Sequence, residues 1–199
     1  MPKASVARYR RLVPLALILS VAFLVASVGP LAKLASAATL QCGTANGAYV
    51  FVRPAGANGL GHVGWGYRAT CTGTYSFGSV ENPTGKAHID RGADNGFWRQ
   101  GGTESQMRSA MKSRGYQSYK KVTWSRAGFD PVPANTVAAA SYGRGYDVIG
   151  NNCADNVWDV LHAYGVPDLP YLQLHPAPNN WYGSLGNTAN VTWSASTAL

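Results

Sequence analysis

The stretch VIGNNCADNVWDVLHAYG (148–165) decides how this chain is read. Its apolar residues Ala154, Val157, Trp158, Leu161 and Tyr164 recur at spacings of three and four, which is one buried stripe of an α-helix. Asn152 is a good N-cap acceptor, Asp155 can reach back to the free amides, and Gly165 followed by Pro167 supplies the stop. Cys153 therefore opens the helix and stands off the apolar stripe. Unpaired amides and the positive end of the helix dipole favour a thiolate there. A cysteine that merely filled space would sit on the stripe. This one is expected beside Asp155 at a polar entrance, as a candidate nucleophile.

The beginning of the chain sets the redox context. Residues 1–37 read as a signal peptide: Lys3, Arg8, Arg10 and Arg11, then the apolar run LVPLALILSVAFLVASV (12–28), then the small-residue ASA (35–37), with cleavage expected before Ala38. A membrane anchor is the other reading, but the run is short for a span and Gly29-Pro30 interrupts its end. Five of the 17 Lys and Arg residues and none of the 9 acids fall in this leader, so the remaining 162 residues carry a net charge of +3. That mild balance, with no basic cluster interleaved with aromatics, argues against a nucleic-acid partner. The membrane is expected to matter only during export. Residues 38–199 suffice for one domain and are read as a monomer.

Three cysteines follow the leader, and in an oxidising compartment an odd number implies one disulfide and one free thiol. Cys42 precedes the strand-like AYVFVRP (48–54) and Cys71 ends the strand-like HVGWGYRATC (62–71). Neighbouring antiparallel strands bring such positions within disulfide range, so Cys42 and Cys71 are the expected pair and Cys153 the free thiol.

A nucleophile needs a base, and four histidines are available. His162 is nine residues along the same helix, about 13 Å away at 1.5 Å per residue, and is expected near the solvated C-terminus. His175 lies in the Pro-rich LQLHPAPNN (172–180) and reads as a loop residue, while His88 follows the turn-like NPTG (82–85). His62 opens a segment in which Val63, Trp65 and Tyr67 alternate with small positions, the period of a strand. A rigid strand can present its imidazole to a helix mouth, which makes His62 the candidate base.

A histidine heading GHVGWGY (61–67), a following strand GTYSFGSVEN (73–82), and a cysteine at a helix start in YDVIGNNCADNVWDVL (146–161) resemble the circularly permuted papain-like hydrolases. That group is related to the NlpC-type cell-wall peptidases and includes lecithin:retinol acyltransferase-like and deSUMOylating-isopeptidase-like branches. Histidine precedes cysteine here, as in the permuted branches. The resemblance implies a Cys153–His62 pair with a third polar group from the next strand. No His or Asn stands at the usual point, so Glu81 and Asn82 are the candidates, with His88 behind them. The Cys153 amide and the Asn152 side chain are candidate oxyanion donors.

The remaining segments complete an α+β expectation: a small antiparallel sheet packed against a few helices. TESQMRSAMKSRG (103–115) carries a Thr103/Gln106 capping box and reads as a helix. YQSYKKVTW (116–124) reads as a strand, with Lys120 and Lys121 marking an edge. The alanine run in PVPANTVAAASYGRG (131–145) forms a helix leading to a short strand YDVI (146–149). Trp181 and Tyr182 are expected to pack on the domain, whose core spans about residues 48–185, and the tail after residue 186 to be mobile. No metal spacing or phosphate loop is present, so no cofactor is expected. The function these readings indicate is a secreted cysteine hydrolase of amide bonds, with peptide or peptidoglycan as substrate. The alternatives are an acyltransferase of the same fold, a scattered zinc site, and a non-catalytic binding module displaying Trp65, Tyr67, Trp158 and Trp181.

Overall fold

The computed structural model describes residues 47–125 and 130–199, and the leader expected over residues 1–37 and Cys42 lie outside them. The described residues form an α+β fold. Strands β1 (Ala48–Arg53), β2 (His62–Arg68) and β3 (Tyr75–Val80) make an antiparallel meander. A two-residue strand β4 (His88–Ile89) follows, then β5 (Phe97–Gly102), which pairs with β3. Helix α1 (Glu104–Ser113) leads to β6 (Ser118–Trp124) on the far side of β1. Helix α2 (Pro131–Ala140) and the short strand β7 (Tyr146–Asp147) precede α3 (Cys153–Tyr164), and α4 (Pro178–Ser184) follows it.

β1 reads AYVFVR without polar alternation because both of its faces are covered. Val50 and Val52 join Val63, Trp65 and Tyr67 of β2 against Val157, Val160 and Leu161 of α3. Tyr49 and Phe51 face the other way, onto Met107 and Met111 of α1. β2 resolves the conflict between two layers with glycine. A Cβ on Gly66 would stand 2.5 Å from Met107 Sδ, so α1 approaches closely only because that position has no side chain. Each fully buried Val, Leu or Phe in these layers contributes about 1.5–3 kcal/mol relative to exposure.

Both expected capping boxes form. Thr103 Oγ1 accepts from the Gln106 amide at 3.3 Å, and the Gln106 side chain accepts from the Thr103 amide at 2.8 Å. Asn152 and Asp155 do the same for α3, and Gly165 takes the left-handed conformation (φ 93°) that ends it.

Several expectations are corrected. β6 is not an edge, because β8 (Val191–Trp193) and β9 (Thr197–Ala198) pair with it on the side opposite β1. Lys120 tolerates this interior place by donating its ammonium to the Tyr182 and Leu185 carbonyls at 3.1 and 2.7 Å. For the same reason the segment after residue 186, expected as a mobile tail, is tied to the sheet, with Val191 and Trp193 buried. Trp181 and Tyr182 pack on the domain as expected, the Trp181 indole donating to the Pro170 carbonyl at 3.0 Å. Trp65, Tyr67 and Trp181 are fully buried, which removes them from any exposed recognition surface.

A buried polar chain, unanticipated in the sequence, locks α3 in place. Trp65 Nε1 donates to Asn156 Oδ1 at 3.0 Å, and Asn156 Nδ2 donates to Ser141 Oγ at 2.6 Å. These bonds fix the rotation of α3 about its axis.

Candidate functional site

Cys153 is the first residue of α3, and it is a free thiol. Cys71 is disulfide-bonded. The polar entrance expected for Cys153 is closed, since the residue is only 1% exposed and belongs to the core layer between α3 and the sheet. Helix capping determines which amide beside it is open. Asn152 Oδ1 accepts from the Ala154 and Asp155 amides at 2.7 and 3.3 Å, and the Asn152 carbonyl takes the Asn156 amide. No hydrogen bond among the described residues takes the Cys153 amide. The Asn152 side chain is partly engaged by comparison, since one N–H of its Nδ2 donates to the Val148 carbonyl at 3.1 Å.

His62 heads β2 and is buried, 4% exposed. Register explains its company. Trp65 lies opposite Gly78 on β3, and continuing that register three residues sets His62 opposite Glu81, while Arg53 lies opposite His62 on the other flank. Glu81 Oε2 is 3.0 Å from His62 Nε2, and Ser79, two residues earlier and so on the same face, places Oγ 3.2 Å from that nitrogen. The Ser79 hydroxyl donates to the Val63 carbonyl at 3.2 Å, so toward the imidazole it acts as an acceptor. Both contacts engage Nε2.

Four donors surround Glu81. Trp98 Nε1 and the Tyr116 hydroxyl donate to Oε1 at 2.8 and 3.0 Å, and Arg53 donates to Oε2 at 3.4 Å beside His62. Burial alone would raise its pKa, but the hydrogen bond and charge of His62, then Trp98 and Tyr116, hold it down at about 2. Burial would likewise lower the pKa of His62. The charge and hydrogen bond of Cys153, followed by those of Glu81, override burial and lift it to about 9. At neutral pH the imidazole is therefore an imidazolium held between a sulfur and a carboxylate. Tyr116 is pushed well above the usual phenol value by burial and by Glu81, so it stays a neutral donor.

His62, Glu81 and Arg53 open onto a cleft of about 510 Å³. Its walls include His62, Glu81, Asn82 and Tyr146, and the loop 55–60 forms one side. The Tyr146 phenol is pushed upward by burial first and by the charge of Cys153 second. Asn82, the other candidate third residue, does not touch the imidazole: its Nδ2 donates to the Lys86 carbonyl at 2.8 Å and its Oδ1 accepts from Thr84. His88 is exposed and bridges Asp147 and Asp90 at 3.3 and 3.2 Å. His162 is exposed and stacks on Trp158 at 4.5 Å, and His175 lies in the loop before α4.

The structure thus brings together Cys153, His62 and Glu81. Sequence reasoning missed Ser79, Trp98, Tyr116 and Arg53. Ser79 carried a signal, the two-residue period that sets it on the face of Glu81. Trp98 and Tyr116 lie 17 and 35 residues from Glu81, and no local pattern announces such contacts. Among the described residues no group of three or more His, Cys, Asp or Glu side chains could hold a metal ion. A thiol, an imidazolium and a carboxylate, with a Cys153 amide that has no partner among the described residues, can support nucleophilic attack and proton transfer. No protein-family model, curated protein or solved structure matches this chain.

Proposed function

We propose that this protein is an exported cysteine hydrolase that cleaves amide bonds through a thioester on Cys153. The observation that carries the reading is the buried His62 imidazole, held 3.0 Å from Glu81, with its pKa lifted by Cys153 first. The Cys153 sulfur attacks the amide carbon while His62 carries the proton. The oxyanion takes the free Cys153 amide, the imidazolium gives its proton to the departing nitrogen, and a thioester remains. Water then attacks the thioester, His62 receives its proton, and the acid leaves with the sulfur regenerated. Glu81 orients the ring and stabilises its charge.

The leader-like residues 1–37, the disulfide at Cys71 and the resemblance to NlpC-type and permuted papain-like enzymes support peptide crosslinks of a bacterial cell wall as the substrate class. The test is release of new amine groups from purified peptidoglycan by the wild type, Cys153→Ala and His62→Ala. The wild type is expected to release amines and both variants to lose release by at least about 10²-fold. Turnover that survives Cys153→Ala removes the nucleophile assignment.

A further inference from the structure

The cleft at His62 has an unbalanced wall. Arg53, His62 and Lys86 line it, and Glu81 is the one acid among its lining residues. Both Glu81 oxygens are already occupied, by Trp98 and Tyr116 on one side and His62 and Arg53 on the other. The nearby acids Asp90 and Asp147 are drawn to His88. Lys86 makes no ion pair among the described residues, and its side chain is exposed. Its backbone is nonetheless held at the cleft: its amide donates to Thr84 Oγ1 at 3.3 Å and its carbonyl accepts from Asn82 at 2.8 Å. A cationic recess with low-dielectric walls concentrates anions at the reacting atoms.

We infer that the cleft takes a substrate whose scissile amide is flanked by a free carboxylate, with Lys86 as the specificity residue that receives that carboxylate. The inference rests on the assignment of Cys153 and His62 as the reacting pair. A cationic or uncharged flank would find no acid free to balance Lys86, whereas a carboxylate would complete the wall.

The test uses two alkylating reagents of nearly equal size, anionic iodoacetate and neutral iodoacetamide. Each forms an S–CH₂ bond at Cys153 as iodide leaves, and mass mapping gives the rate at that residue. Rates are measured at pH 7 for the wild type, Lys86→Gln and Lys86→Glu, with glutathione as the reference thiol. The iodoacetate-to-iodoacetamide ratio is expected to exceed that of glutathione and to fall with added salt. It should drop about fivefold in Lys86→Gln and further in Lys86→Glu. A ratio unmoved by both substitutions overturns the carboxylate site while leaving the reacting pair intact. Failure of both reagents at Cys153 in the folded wild type overturns the pair and this inference together. Since His62 alone also attracts anions, the change between wild type and the Lys86 variants is the deciding quantity.

Discussion

His62 binds its proton up to about pH 9 because Cys153 first and Glu81 second override its burial, and Glu81 holds its charge down to about pH 2 chiefly because of His62. The signs give opposite limbs. The stabilisation from His62 is fully present below its ordinary value of 6.5 and is lost as pH rises through about 9. That from Glu81 is present above 4.5 and is lost as pH falls through about 2. Folding stability from urea melts should therefore be flat between these limits and fall on either side. Under the proposed mechanism turnover also declines above about pH 9, where the leaving nitrogen loses its proton donor. Glu81→Gln should move that alkaline limb to lower pH and reduce turnover about 10²-fold. A limb that stays in place would show that Glu81 does not hold the proton on His62.

At the scale of the element, the N-terminus of α3 has two tasks that share one residue. Asn152 caps the Ala154 and Asp155 amides, which leaves the Cys153 amide without a partner among the described residues. Asn152→Ala should lower folding stability by about 0.5–2 kcal/mol, read from the urea midpoint. It should also speed Cys153 alkylation, because a frayed first turn opens a thiol that is only 1% exposed in the intact helix. A stability loss without that change would separate the cap from the site. The loop 54–61 is held in a comparable way from α4: Asn179 Nδ2 donates to the Pro54 and Gly59 carbonyls, both at 3.0 Å. The cleft wall is thus anchored 120 residues away from its own sequence position. Gly61 permits this, since a Cβ there would lie 2.2 Å from Asn179 Oδ1.

Over the whole molecule, the sheet is completed by its last strands. β8 and β9 cover the outer side of β6, and Val191 and Trp193 close the layer that holds α2, α3 and α4. Removing residues 187–199 should cost several kcal/mol, since two large buried side chains at about 1.5–3 kcal/mol each are lost with the strand pairing. The measurement is the shift in thermal midpoint of the truncated chain. A shift of no more than a degree or two would mean that the C-terminal strands add nothing to the core.

What was legible in the sequence was whatever short-range chemistry dictates. The two capping boxes, the αL stop at Gly165, the stripe of α3 and the alternation of β2 follow from contacts within four residues, and they form as read. The pairing of Cys153 with His62, 91 residues apart, was an expectation from a helix mouth and a strand head, and Glu81 was legible only by resemblance. Tertiary structure alone decided the rest. Lys120 and Lys121 suggested an edge, but the chain returns its C-terminal strands to that side, and no pattern inside β6 could announce the pairing. Cys153 stood off an apolar stripe yet is buried, because the sheet closes over the helix mouth as well as over the helix face. The donors around Glu81 come from β1, β5 and the turn after α1, and the cationic wall of the cleft unites β1 with the 82–86 turn. Local sequence determines which elements form, since their bonds close over a few residues. The site depends on which elements meet, and that is fixed by the burial of both sheet faces at once.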